Sequence, residues 1–399
     1  MKRNLTLVLI LVAVLVVLVF INERRKQQED TEEAIQPPVI VGDPSLAGDH
    51  TGLGLVLPEH FGIQKFVEDV PGARVMAWDG MGNLWISQTS EDAITKITVQ
   101  NGNPTKKEKV FSRLKRPHGI AFDPQDGNVL YFAEEDKISQ VNIATEPLNP
   151  VVIKDGLPTG GRHVTRTIKF GPDDRLYLSV GSSCNVCIED NEYRAKIFSM
   201  KKDGSDFKEL ARGLRNSVFF TWSYLDGKMW ATDMGSDHLG DDLPPDEINV
   251  IQQDGNYGWP NCYGKNNHDS DFDKNVYIRN PCMDPYEISS HIDLPAHTAV
   301  LGLDFIPEEG WPSSLWYDLI VASHGSSERS EKIGYKLLHV KLDAKGNYEG
   351  TEDFISGWLQ DDEVLGRPVD VLIQPGGQMY VSDDKSGVIY KVTYNGPQE

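Results

Sequence analysis

The chain has 399 residues and carries 39 Lys and Arg against 60 Asp and Glu, a formal charge of −21. Nucleic-acid binding rests on neutralising phosphates with Lys and Arg, so this balance excludes a nucleic-acid partner. The length allows one to three domains, or a single large all-β domain.

After Lys2, Arg3 and Asn4 comes LTLVLILVAVLVVLVFI, 17 residues with one Thr and no charge. At about 1.5 Å per residue it reaches roughly 25 Å, just enough to cross a thin bilayer. No A-x-A cleavage site follows and no Cys is placed for lipidation, so residues 1–26 read as an uncleaved membrane-anchor helix. Residues 27–57, rich in Glu, Gln, Pro and Gly, read as a flexible linker.

From residue 58 one pattern returns. An apolar strand meets a Gly/Asp/Pro turn, then a second strand with aromatics, then a third. RVMAWDGMGNLWISQTSEDAITKIT (74–98) is the first copy and HGIAFDPQDGNVLYFAEEDKISQVNI (118–143) the second. The hairpin GGRHVTRTIKFGPDDRLYLSVG (160–181), continuing to RAKIFSM (194–200), is the third. NSVFFTWSYLDGKMWATDMG (216–235) with DEINVI (246–251) follows, then copies over 301–342 and 368–393. Six copies, each of about 56 residues, predict an all-β fold, a six-bladed β-propeller over residues 58–399. A large sandwich is the competing architecture.

The four cysteines fall in two pairs, Cys184/Cys187 and Cys262/Cys282, which allow three connectivities. Two disulfides fit an exported domain. DSDFDKN (269–275) starts like a calcium loop but lacks the glycine at its sixth position and ends on Asn280, so it reads as a solvated insertion.

Propellers bind ligands at the mouth of the central channel, on loops at one end of the blades. At such loops the sequence gathers cations and imidazoles: Arg162, His163 and Arg166 before the third copy, His118 after Pro117, Arg215 beside Asn216, and Arg367. In an acidic chain, convergence of these entrances on one pore predicts an anion site.

H-x7-GPD (163–173), LRN (214–216), GDDLPPDEIN (240–249), GNYGWP (255–260) and HGS (324–326), in this order on six repeats, resemble the quinoprotein sugar dehydrogenases. That family uses pyrroloquinoline quinone (PQQ) and calcium on a six-bladed propeller. The likeness is to its sorbosone and pyranose dehydrogenase branch. The resemblance implies that His163 is the general base taking the sugar hydroxyl proton, and that Arg215 polarises a quinone oxygen. It implies further that Asn216, Arg367, His324 and Arg329 hold the cofactor, and that Gly235 and Ser236 bind Ca²⁺ through backbone carbonyls. A family Asp that orients the base is Ser182 here, which shifts that task to Asp190 or Glu189. A sugar substrate, an external electron acceptor and a membrane-anchored catalytic domain outside the cytoplasm complete the expectation. The competing functions are a non-catalytic binding propeller and a calcium-dependent lactonase.

Overall fold

The computed structural model describes residues 44–397 except 284 and 286. Six sheets are arranged as blades, each with four antiparallel strands and two of them extended by a short parallel strand. Blade I is Ala73–Trp78, Leu84–Gln88, Ala93–Gln100 and Asn103–Ser112. The first strands of blades II to VI are Ile120–Asp123, Arg166–Phe170, Phe220–Trp222, Val300–Phe305 and Pro368–Gln374. These first strands lie innermost, in contact with those of neighbouring blades. The six-bladed propeller is therefore present, and the sandwich is not.

The repeat pattern has a packing reason. The second strand of five blades carries one aromatic residue that meets an aromatic on the first strand of the next blade. Trp85 meets Phe122, Tyr131 meets Phe170, Tyr177 meets Trp222, Trp230 meets Phe305 and Tyr380 meets Trp78, with ring centroids 5.1–5.8 Å apart. Edge-on pairs of this kind add to the area they bury. At the remaining interface the corresponding positions are Ile320 and Ile373, packed in one cluster. There the aromatic pair sits on the outer strands instead, Phe354 against Phe61 at 5.1 Å.

Closure of the ring was not legible in the repeats. Blade VI ends in Val388–Tyr394, and its fourth strand is Phe61–Val67, from the other end of the described chain. This strand covers the edge of Val388–Tyr394 by backbone hydrogen bonds and runs on along the chain into blade I, so the two ends of the propeller sequence meet in one sheet. Phe61 is 3% exposed and packs against Trp311, Phe354 and Tyr394. Phe61→Ala is expected to lower unfolding stability by about 3–5 kcal/mol, read from the urea midpoint.

The linker expectation is corrected at its C-terminal end. Gly48–Asp49 pairs in parallel with Gly62 and Ile63, Leu55 is buried, and Val56 bridges to Ser356. The Asp49 carboxylate accepts from the Thr51, Gly54 and Leu55 amides, which folds the segment onto the ring. Polar composition suggested a solvated tether, but backbone pairing absorbs it. The anchor expected over residues 1–26 lies outside the described residues. Among those described, no helix is long and apolar enough to cross a membrane.

Both disulfides form, Cys184–Cys187 and Cys262–Cys282. The second closes the 269–275 insertion. There the Asp269 carboxylate is engaged by the amides of Asp271 and Phe272, and that of Asp273 by His268, Asn275 and Tyr277.

Candidate functional site

The blade-entrance loops meet at a cavity of about 320 Å³, within the usual range for a small-molecule site. Arg162, His163, Arg215, Asn216, Gly235, His324 and Arg367 all line it, so seven of the sequence-predicted residues are brought together.

His163 is held by Ser182. Its Nδ1 lies 3.0 Å from the Ser182 carbonyl oxygen and 2.8 Å from the Ser182 hydroxyl. The carbonyl can only accept, and the hydroxyl already donates to the Cys184 carbonyl at 2.7 Å. Both contacts therefore require the proton on Nδ1, which leaves Nε2 as a bare acceptor. Burial, reinforced by the Arg215 charge, lowers the imidazole to about 3, so it is neutral at physiological pH. A carboxylate partner is not needed, and the expected orienters are not used: Glu189 instead accepts from the Ser183 amide. Behind His163 the chain passes so close that a Cβ on Gly181 would lie 2.7 Å from both the His163 Cβ and the Asn216 Oδ1. The glycine is a requirement of that approach.

The pH consequence has a definite sign. A lowered imidazole pKa keeps the acceptor available on acidification until pH falls toward about 3. If His163 is the general base that the sequence resemblance implies, kcat/KM, which reports the free protein's titrations, is expected to show no acid limb near pH 6.5. A limb at that pH, measured with a pH-insensitive electron-accepting dye, would remove His163 as the base.

Arg215 and Arg367 differ in what they have left to give. A guanidinium has five N–H groups. Arg215 donates Nε to the Asn185 carbonyl at 3.0 Å and Nη1 to the Met234 carbonyl at 3.2 Å. Its Nη2 donates to Asn185 Oδ1 at 2.7 Å and Asp237 Oδ2 at 3.3 Å. That leaves one free donor. Arg367 donates only to the His324 and Gly325 carbonyls, at 3.2 and 2.5 Å, which leaves three. One donor suits a single oxygen, and three suit a carboxylate held bidentately.

Asn185, in the middle of the Cys184–Cys187 loop, was missed by the sequence reading. Besides both Arg215 contacts it brackets Asp237, accepting from its amide and donating to its carbonyl, each at 2.9 Å. Arg74 was also missed. It sits at a bulge in the first strand of blade I, between Ala73 and Met76, and lines the cavity. Its Nη1 donates to Asp384 Oδ2 at 2.9 Å, while His324 Nε2 meets Asp384 Oδ1 at 2.9 Å. Burial pushes the Asp384 carboxyl up, but the His324 hydrogen bond and the Arg74 charge outweigh it and hold the group below its usual range. Applying the entrance rule to the first repeat would have found Arg74.

Three expectations are corrected. Arg329 does not line the cavity; its guanidinium donates to the Asp241 carbonyl and to Asp242, pinning one surface loop to another. His118 is fully enclosed beside Phe219 and Thr167, so it packs in the interior. Arg166 turns inward, where Pro158, His163 and Thr165 carbonyls absorb its charge. Ser236, expected with Gly235 as a metal position, lines a small cavity adjoining the main one together with Gly235.

The carboxylates around Gly235 and Ser236 test the metal expectation. Asp246 is buried and accepts from the Gly235 amide, the Thr298 hydroxyl and the Ala299 amide. Asp233 and Glu247 line the small cavity with Asp269, and all three are buried. Burial raises Asp246 and Asp233, and brings Glu247 to about 7. Each carboxylate is already engaged, Asp233 by the Arg215 and Asn216 amides, Glu247 by Asn249 and the Gly264 amide, and Asp269 by the Asp271 and Phe272 amides. The residues that fit a hard cation here are therefore the backbone carbonyls of Gly235 and Ser236, with the acidic groups as surrounding negative charge.

A family profile described as TrAA12-like matches residues 55–395. An uncharacterised protein of Borreliella burgdorferi is 31% identical over 379 residues, 89% of this chain and 95% of the relative. The holo PQQ domain of pyranose dehydrogenase from Coprinopsis cinerea superposes with a TM-score of 0.71 at 21% identity, over 85% of this chain and 97% of that one. The calcium structure of the Trichoderma reesei carbohydrate-active family AA12 enzyme gives 0.73 at 17%, with the same coverage. The chain belongs to the TrAA12-like family, on a six-bladed propeller.

Proposed function

We propose that this protein is a quinone-dependent oxidoreductase that oxidises a sugar hydroxyl, with PQQ and Ca²⁺ as cofactors. The observation that carries the reading is His163: a neutral imidazole with its tautomer fixed from behind, on the same cavity wall as Arg215, Asn216 and Arg367. When bound, the quinone supplies a two-electron acceptor for the hydride of the sugar carbon. His163 Nε2 takes the hydroxyl proton. Arg215 directs its one free donor at an oxygen that gains charge, held in aim by Asn185. Arg367, His324 and Asn216 line the wall for the remainder of the cofactor. Gly235 and Ser236, flanked by Asp246 and by Asp233 and Glu247, supply the calcium donors. The cations and imidazoles at the mouth favour this chemistry over the lactonase, which needs acidic groups converging in the pore, and over a binding-only propeller.

The two disulfides support a domain working outside the cytoplasm, tethered by residues 1–26 and passing electrons to an external acceptor. Purified protein incubated with PQQ and Ca²⁺ is expected to retain quinone absorbance after desalting and to reduce an artificial acceptor when given sugars. Omission of Ca²⁺, or chelation before loading, is expected to abolish retention. Absence of bound quinone under saturating Ca²⁺ would overturn the proposal.

A further inference from the structure

Beside the cavity that holds His163 lies a wider lobe of about 770 Å³, and the two share the walls Arg74, Val164, Thr165, His324 and Arg367. The wider lobe adds Arg116 and Lys385. Its lining therefore carries four cations, Arg74, Arg116, Arg367 and Lys385, against one carboxylate, Asp384, in a chain whose formal charge is −21. At physiological ionic strength, charges farther than about 8 Å are screened, so an anion in the lobe feels this local excess rather than the acidic surface.

The charges are only partly consumed. Arg74 spends one donor on Asp384. Arg116 has a loose pair with Glu135 at 3.6 Å and is half exposed. Lys385 Nζ has no carboxylate partner among the described residues. Asp384, by contrast, has each oxygen engaged once, by His324 and Arg74, so its negative charge is balanced within the wall itself. The lining thus presents donors and positive charge to its occupant.

We propose that this lobe receives the anionic end of the substrate, making the substrate a sugar that carries a carboxylate or a phosphate. Arg74, Arg116 and Lys385 hold that group while the oxidised hydroxyl lies at His163. This rests on the oxidoreductase reading above and names its substrate class. In the step, one C–H and one O–H bond of the sugar break and a C=O bond forms. The bound quinone would accept the hydride, and His163 would take the proton.

The test is calorimetric titration of glucuronate, glucose 6-phosphate and glucose into protein loaded with PQQ and Ca²⁺, with turnover measured in parallel. At least one anionic sugar is expected to bind about tenfold or more tighter than glucose at low salt, with the gap narrowing as salt is raised. Which of the two binds separates a carboxylate from a phosphate. The double variant Arg116→Gln/Lys385→Gln is expected to erase that preference. Equal affinity for glucose and both anions overturns the inference, as does a preference that survives the double variant. So does a double variant that loses quinone affinity while keeping its sugar preference, because the cations would then serve the cofactor. Anion preference without oxidation of any sugar would overturn the oxidoreductase reading alone. Oxidation of glucose without anion preference would overturn this inference alone.

Discussion

His163→Asn is expected to lower turnover by about 10²–10⁴-fold, the contribution of a positioned general base. Asparagine is the informative replacement because its amide nitrogen stands near the place of Nδ1. It can still donate to the Ser182 carbonyl, now 3.0 Å from His163 Nδ1, while the Nε2 lone pair disappears. Thermal midpoint and quinone affinity are expected to stay close to those of the unaltered protein, which separates loss of the base from loss of the site. Ser182→Ala provides the companion measurement. It removes the hydroxyl but keeps the carbonyl that fixes the tautomer, so its effect is expected to be about tenfold or less. Full turnover in His163→Asn would mean that another group takes the proton.

The second large effect separates the two arginines. Arg367→Ala removes three unspent donors from the cavity wall, and charge-assisted hydrogen bonds contribute about 1.5–3 kcal/mol each. Loss of one such bond corresponds to a drop in quinone affinity of about 10- to 150-fold, read by titrating PQQ into the calcium-loaded protein. Arg215→Ala has a different signature. With one donor left for a ligand, it is expected to weaken binding less and turnover more, because the oxygen it faces gains charge during reaction. Asn185→Ala is expected to move the same way as Arg215→Ala but less far, since it removes the Oδ1 contact to Nη2 and keeps the backbone carbonyl that accepts from Nε. Unaltered affinity and turnover in both arginine variants would leave the cavity as a binding site without redox chemistry.

The architecture could be read from the chain because a propeller repeats one local rule. Every copy has to alternate apolar and polar residues, turn tightly, and present a bulky side chain to the next blade. Trp85, Tyr131, Tyr177, Trp230 and Tyr380 therefore recur at matching places in the sequence. The same logic located His163, Arg215 and Arg367 at blade entrances, and all three line one cavity. It failed at His118 and Arg166, which hold equivalent places but turn inward. A position in a repeat fixes where a Cα lies; the direction of a long side chain depends on which carbonyls surround it. For Arg166 those carbonyls belong to residues 158, 163 and 165, and they satisfy the guanidinium away from the cavity.

What the sequence by itself determined was the number of blades and the set of loops that carry the candidate chemistry. These follow from short-range patterns, in which each residue's task is set by residues a few positions away. Tertiary structure alone decided the rest. It supplied the closing strand Phe61–Val67, paired with residues more than 300 positions distant, and the carbonyl of Ser182 as the orienter of His163. It also brought Arg74, Arg116 and Lys385, from both ends of the propeller sequence, onto one lobe. Ring closure is the physical reason: it makes the first and last blades neighbours, so charges that are far apart along the chain act on the same ligand.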